Sequence, residues 1–269
     1  MSEGSYNLTD NANVDFNSDK LASISGAKPI ASANKNITLE NAEKLAANRG
    51  SGWHLSTLLT ESANQFLQLV EYGTANSQEA VEAGIVDIQD TANKNCASLT
   101  GSTSTIGNYT GAAAQTMNEK DGVYNTYTVA GRRAISYRGI ENPWGNTWKY
   151  LSGAVVKGSG AANGGTLYLE KDGNEINTGI VLPNTIGYQS AFGYSFSFDY
   201  LFIPVASEGN DKTPIGDKAW IKENINETRA LAYGGSWMSS TNSGMFCYAF
   251  DQRLDAGART LNARLTYTP

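Results

Sequence analysis

The sequence predicts an α+β fold in which helices come first and strands follow. Three observations carry that reading. Apolar residues keep a helical period between Thr38 and Ala83, a Lys171-Asp-Gly-Asn174 corner marks a hairpin, and strand-like runs close the chain between Leu231 and Tyr267. Ahead of them, residues 1–36 are polar and rich in Asn, Ser and Ala. They read as an extended N-terminal arm or attachment segment, which leaves 37–269 as the folded domain.

The first helix is expected from Thr38 to Asn48. Thr38 suits the N-cap, Glu40 sits where the helix dipole favours an anion, and Gly50 accepts a left-handed ending. Leu39, Ala42, Leu45 and Ala46 then share one face. Trp53–Leu55 reads as a short strand. Leu59, Ala63, Phe66, Leu67 and Val70 keep helical spacing through a second helix that ends near Gly73. A third helix is expected over Ser77–Ala83, with Asn76 and Glu79 as a capping box.

Beyond it the helical period is lost, and residues 91–122 read as a long surface excursion of Thr, Ser, Gly, Ala and Asn. Asn125–Val129 and Ala134–Tyr137 are expected as short strands. Thr166–Glu170 and Glu175–Leu182 flank the hairpin corner. Tyr194–Phe202 carries an aromatic at every second position and reads as the clearest strand of the chain. Polar loops fill 207–228, with a short helix around Trp220–Asn224.

One stretch stands apart, Tyr137-Arg-Gly-Ile-Glu-Asn-Pro-Trp-Gly-Asn-Thr-Trp-Lys-Tyr150. Pro143 fixes its own φ and pushes Asn142 towards extended geometry. Gly145 lets the backbone pass close to a neighbour, and Asn146 is suited to bonding its own turn. Trp144 and Trp148 bring large apolar areas with one N–H each. Arg138 and Glu141 stand close enough in sequence to form an ion pair. The stretch reads as a structural knot built on Arg138, Glu141, Asn142, Trp144, Asn146 and Trp148, joined by Trp237. A ligand pocket, or a calcium site at the oxygens of Glu141, Asn142 and Asn146, is the alternative.

Composition narrows the function. The 269 residues are 40% hydrophobic, and no run approaches the ~20 apolar residues of a membrane span. Twenty basic against 26 acidic residues give −6 without a block of either sign, which disfavours nucleic acid as a partner. Met1–Asp10 has neither the basic end nor the apolar centre of a signal peptide, so no export is expected. Charged residues are only 17%, while 14 tyrosines outnumber eight phenylalanines, a composition that binding loops favour.

Catalytic signals are missing. The lone histidine, His54, stands beside Trp53 without an evident partner, which favours a structural role. Cys96 and Cys247 lie far apart without metal-type spacing, and they pair only if the fold brings them together. No nucleophile elbow, phosphate-binding loop or zinc motif is present. No enzyme, cofactor or metal is expected.

The order of the pieces resembles the C-type lectin fold, in the branch shared with formylglycine-generating enzymes. Thr38–Gly50 followed by Trp53-His-Leu-Ser-Thr57 resembles its opening, Asn142–Trp148 its Gly-Asn-x-Trp-Glu-Trp segment, and Gly234-Gly-Ser-Trp237 with Ala263-Arg-Leu265 its ending. Together they span about 37–267, with long loop and β insertions. Tyr72–Gln78 and Ser136–Asn146 are similar to segments of phage-encoded and phage-like proteins, some of them variable proteins of diversity-generating retroelements.

That resemblance implies a virion surface protein, a tail- or head-fibre tip made in the host cytoplasm that binds a host cell-surface receptor, protein or glycan. The displayed segment would be Trp237–Arg264, with Met238, Ser239, Thr241, Asn242, Tyr248, Asp251, Arg253, Arg259 and Thr260 as candidate ligand contacts. Other virion proteins would meet the N-terminal arm, and a homo-oligomer is expected, a trimer among its forms. The alternative is a purely structural capsid, collar or baseplate module. A third reading, a formylglycine-generating-type oxidase, lacks the paired cysteines of that family, since only Cys247 lies near the C-terminal end. The calcium-binding triplets of sugar-binding lectins are also missing.

Overall fold

The computed structural model describes residues 14–30, 37–89, 95–120, 123–213 and 215–269. Its fold is mixed and mostly sheet, compatible with the α+β expectation and equally with a β class. Helix α1 (Leu39–Ala47) begins where the Thr38 hydroxyl accepts the Asn41 N–H at 3.2 Å. Its expected face of Leu39, Ala42, Leu45 and Ala46 is buried. Strand β1 (Trp53–Leu55) leads into α2 (Leu58–Tyr72), capped by Thr57 and stopped by Gly73 at φ 66°. Helix α3 (Ser77–Ala80) is a single turn, shorter than expected, with Asn76 accepting the Glu79 N–H.

Short strands follow: β2 (Gly111–Ala112), β3 (Thr116–Lys120), β4 (Val123–Tyr127), β5 (Ile135–Tyr137) and β6 (Ile140–Glu141). The long strand β7 (Trp148–Lys157) then opens the main sheet, with the hairpin β8 (Thr166–Lys171) and β9 (Asn174–Val181). Asp172 and Gly173, both at positive φ, form its two-residue turn. The remaining strands are β10 (Gly187–Tyr188), β11 (Ala191–Phe192), β12 (Pro204–Ala206), β13 (Lys218–Trp220), β14 (Thr228–Tyr233), β15 (Tyr248–Arg253), β16 (Leu261–Ala263) and β17 (Leu265–Tyr267). Among the described residues the main sheet runs β10-β13-β15-β14-β7-β8-β9, with β16 parallel to the start of β7.

Alternation along the central strands gives that sheet two buried faces. Tyr150, Ala232 and Ala249 pack with Leu55 and the apolar face of α1. Leu151, Leu231, Tyr233, Tyr248 and Phe250 pack on the other side with Leu58 of α2, Trp144 and Phe246. A third cluster joins Ile85, Ile88, Cys96, Ala97, Ala134 and Trp237.

Several elements depart from the sequence reading. Residues 14–30 do not stand off as an arm. Val14, Phe16, Leu21 and Ile30 pack on the α1 side, Asn48 donates to the carbonyls of Phe16 and Asp19, and Gly26 pairs with Thr100. The rest of 1–36 lies outside the described residues. The 91–122 excursion is partly core, because Cys96, Ala97, Ser98 and Ala113 are buried. Tyr194–Phe202 is a turn. Phe198 and Leu201 bond back to Ser195 and Phe198, and among the described residues no neighbouring strand offers the ladder that its alternation would need. Trp220 closes β13 rather than opening a helix.

The second helix is turned about. Its buried face is Leu58, Glu61, Ser62, Gln65 and Gln68, while Leu59, Phe66, Leu67 and Val70 are exposed. An apolar stripe ordinarily marks the inward face. Here polar side chains go inward because specific partners await them. The Gln65 amide donates to Met245 O at 2.7 Å and to the Tyr248 hydroxyl at 2.8 Å. Gln68 accepts from the Ser77 hydroxyl at 3.1 Å, and Ser62 donates to Tyr200 O. Gln65→Leu therefore makes this face more apolar yet is expected to destabilise the fold by about 1–3 kcal/mol, because it strands two buried groups. Chemical denaturation of the purified variant reads that sign directly.

Candidate functional site

The Tyr137–Tyr150 stretch is buried from Asn142 to Thr147, with Tyr137 and Trp144 fully covered and Arg138 and Gly139 exposed. Five of its residues lie in the left-handed region: Arg138 at φ 52°, Gly139 at 85°, Asn142 at 44°, Gly145 at 67° and Asn146 at 62°. Asn142 thus departs from the extended geometry expected before Pro143. Its N–H donates to Ile135 O at 2.7 Å and its Oδ1 accepts the Ile135 N–H at 3.2 Å, a two-way bond to β5 that holds the turn. A Cβ on Gly145 would meet Ile85 O at 2.6 Å, so only glycine lets these backbones approach.

The knot ties remote segments together. Asn146 donates its N–H to Ile85 O at 2.7 Å, accepts the Trp237 N–H at 3.0 Å on its carbonyl, and accepts the Ser98 N–H at 2.8 Å on Oδ1. Trp144 donates Nε1–H to Ala83 O, and Arg264 donates to the carbonyls of Glu141 and Asn142. Trp148 is half-buried with its ring edge-on to Trp220 at 5.2 Å. Glu141 does not pair with Arg138. Its carboxylate accepts the N–H groups of Gly101 and Thr103 and the Thr103 hydroxyl, while Arg138 reaches Glu71 at 3.6 Å. The oxygens considered for calcium are therefore spent on pinning loops.

The nine candidate contact residues separate into groups. Met238, Thr241 and Asn242 lie on or beside the Ser240–Asn242 turn, with Met238 and Thr241 exposed and Asn242 half-exposed. Arg259 reaches Met238 Sδ at 3.5 Å, and the neighbouring Thr260 accepts the Trp148 N–H on its carbonyl. Asp251 and Arg253 sit elsewhere, about 10 and 17 Å along β15 from its Tyr248 end. Arg253 there pairs with Asp255 at 2.8 Å.

Two candidates are corrected. Tyr248 is fully buried, stacked on Phe250 at 5.3 Å, with its hydroxyl taken by Gln65. Ser239 is also buried and accepts the Ser236 N–H. Tyr188 joins the exposed group unannounced by the sequence, its hydroxyl 3.3 Å from that of Thr241. It comes from the two-residue strand β10, too short to leave a periodic signal.

The exposed turn is held firmly from beneath. Gln78 donates to the carbonyls of Ser240 and Ser243 at 2.9 and 2.8 Å, and the Ser240 N–H reaches Val86 O. A positioned turn of mixed chemistry suits binding, since the side chains vary while the backbone stays fixed.

Asp217, Cys247 and Lys149 are buried groups whose acidity is shifted. Burial pushes the Asp217 carboxyl well above the usual carboxylate range, against the pull of the Phe246 N–H it accepts at 2.7 Å. Burial, then the Asp217 charge, push the Cys247 thiol up, so it keeps its proton. Burial, then Arg264, hold the Lys149 ammonium well below its usual value while it donates to Gly145 O at 2.9 Å. Cys96 and Cys247 are both buried, and no disulfide joins them. His54 is spent on Leu55 O and the Thr268 hydroxyl.

A cavity of about 370 Å³ opens between residues 20–30 and the knot, lined by Lys20, Lys28, Glu141, Thr147, Lys149 and Arg264 among others. Its cations serve the fold, for Lys28 pairs with Glu119 and Lys149 and Arg264 bond backbone carbonyls. Sequence reasoning had no means to find it, because one wall was read as a free arm.

Asp217 has a pH signature. The native carboxyl keeps its proton to a higher pH than the unfolded chain does, so stability is fully present in acid and is lost as pH rises through the native value. Asp217→Asn removes that slope while keeping an acceptor for Phe246. Melting curves from about pH 4 to about pH 8 are expected to diverge in favour of the variant by up to about 1.4 kcal/mol per pH unit, and parallel curves would contradict it.

No protein-family model matches the chain, and no curated protein matches it either.

Proposed function

We propose that this protein is a binding module of a virion surface, a tail- or head-fibre tip with a C-type lectin-like fold that holds a host cell-surface receptor. The observation that carries the reading is the exposed Met238 and Thr241 and half-exposed Asn242 on or beside a turn that Gln78 and Val86 fasten, with the half-exposed Arg259 reaching Met238. It supports a surface whose side chains meet a partner over a backbone that does not move. The lectin-like fold and the phage setting rest on the resemblance of the opening helix, the Ser136–Asn146 segment and the Gly-Gly-Ser-Trp ending.

An oxidase of the formylglycine-generating type finds no support in Cys247, a buried thiol that is in no disulfide and whose acidity burial weakens. The purely structural module is favoured by one observation, the apolar stripe exposed on α2.

Fluorescently labelled protein, offered to a panel of candidate host cells, tests the binding role. Saturable binding is expected with at least one strain. Replacing Met238, Thr241, Asn242 and Arg259 together is expected to abolish it, with circular dichroism and melting unchanged. Binding that survives those replacements would overturn this surface as the receptor site.

A further inference from the structure

The outward face of α2 is the wrong chemistry for water. Leu59 is 48% exposed, Phe66 45%, Leu67 41% and Val70 83%, on a helix whose inward face is Glu61, Ser62, Gln65 and Gln68. At about 100° per residue, Leu59, Ala63, Phe66 and Val70 fall within an arc of about 60°. They recur at steps of four, three and four residues, the spacing that seats one helix against another. Between Leu58 and Val70 the only charged residue is Glu61, and it is buried.

We infer that this stripe is a self-association surface, and that its occupant is α2 of a second copy of this chain. Three features select that occupant. A symmetric contact sets the same patch against itself, and a face without exposed charge does so without like-charge repulsion. The four-three spacing matches itself in register, as a helix seam requires. The third feature is area. The loop that docks on α2 through Phe202, whose ring meets Phe66 at 4.9 Å, also carries Tyr194 and Phe196, 76% and 89% exposed. With the helix stripe these side chains expose on the order of 800 Å², the share that one partner contributes to a standard stable interface.

Polarity on the inward face agrees with this. A helix that gave water its apolar side and the core its polar side would be costly in an isolated protomer, whereas between protomers its apolar stripe becomes interior. The surface lies on a different element from the Ser240–Asn242 turn, so the inference stands apart from the receptor reading.

Sedimentation equilibrium of the purified full chain tests it, alongside the variants Phe66→Glu and Val70→Asp. Val70 points outward, while Phe66 also meets the Phe202 ring, so folding is checked independently by circular dichroism. The parent chain is expected at twice its monomer mass, and each folded variant is expected to fall to the monomer. A parent chain that is monomeric at tens of micromolar, or a multimer that persists in both variants, would overturn the proposal. Multimers that appear only after residues 1–13 are deleted would also overturn it, by showing that the chain's own start covers the stripe.

Discussion

Asn146 is the residue on which the rest of the structure depends. Its three hydrogen bonds run to Ile85, Ser98 and Trp237, which no local structure would bring together. All three bonds need its φ of 62°, a conformation that asparagine accepts more readily than most residues. Gly145 next to it permits the close approach to Ile85, and Arg264 closes the far side by bonding the carbonyls of Glu141 and Asn142. Each bond contributes about 1 kcal/mol net, but an orphaned buried group costs more, so the set stands or falls together.

The same economy shapes the core around it. Polar groups are taken inside where the geometry supplies bonding partners, as with Gln68 and Asn142. Lys149 is buried on the strand that follows the knot and bonds back to it at Gly145 O. Asp217 holds the loop that precedes β15 through the Phe246 N–H. These groups have shifted acidities because water is excluded from them, and they serve position rather than chemistry. A fixed interior of this kind leaves variable surface turns free to carry recognition.

How much of this was legible in the sequence follows from which forces were local. Thr38 and Asn76 as caps, Gly73 as a stop, and the Asp172-Gly173 corner act within a few residues, and all are where local chemistry puts them. The importance of the Tyr137–Tyr150 stretch was legible too, because few other reasons would crowd tryptophans, Asn and Gly together. Its partners were not, since Ser98 lies in a polar run without period and Ile85 in a loop. The alternating aromatics of Tyr194–Phe202 misled because a strand also needs a neighbour to pair with. Tyr248 was read as displayed, yet its place opposite Tyr233 sets it beneath α2. That covering is tertiary, and no pattern within the last thirty residues reports it.

Two surfaces remain for partners in this account, the Met238–Arg259 rim and the outward stripe of α2. Both depend on a frame that holds its loops without slack, which is the claim the knot supports. Native-state hydrogen exchange at the Asn146 and Ser98 amides tests it most directly. Exchange at both sites only through global unfolding, with a free energy equal to that from denaturation, is the expected result. Exchange through local opening, at several kcal/mol below the global value, would show that the knot is a covered loop and not the tie that holds the fold.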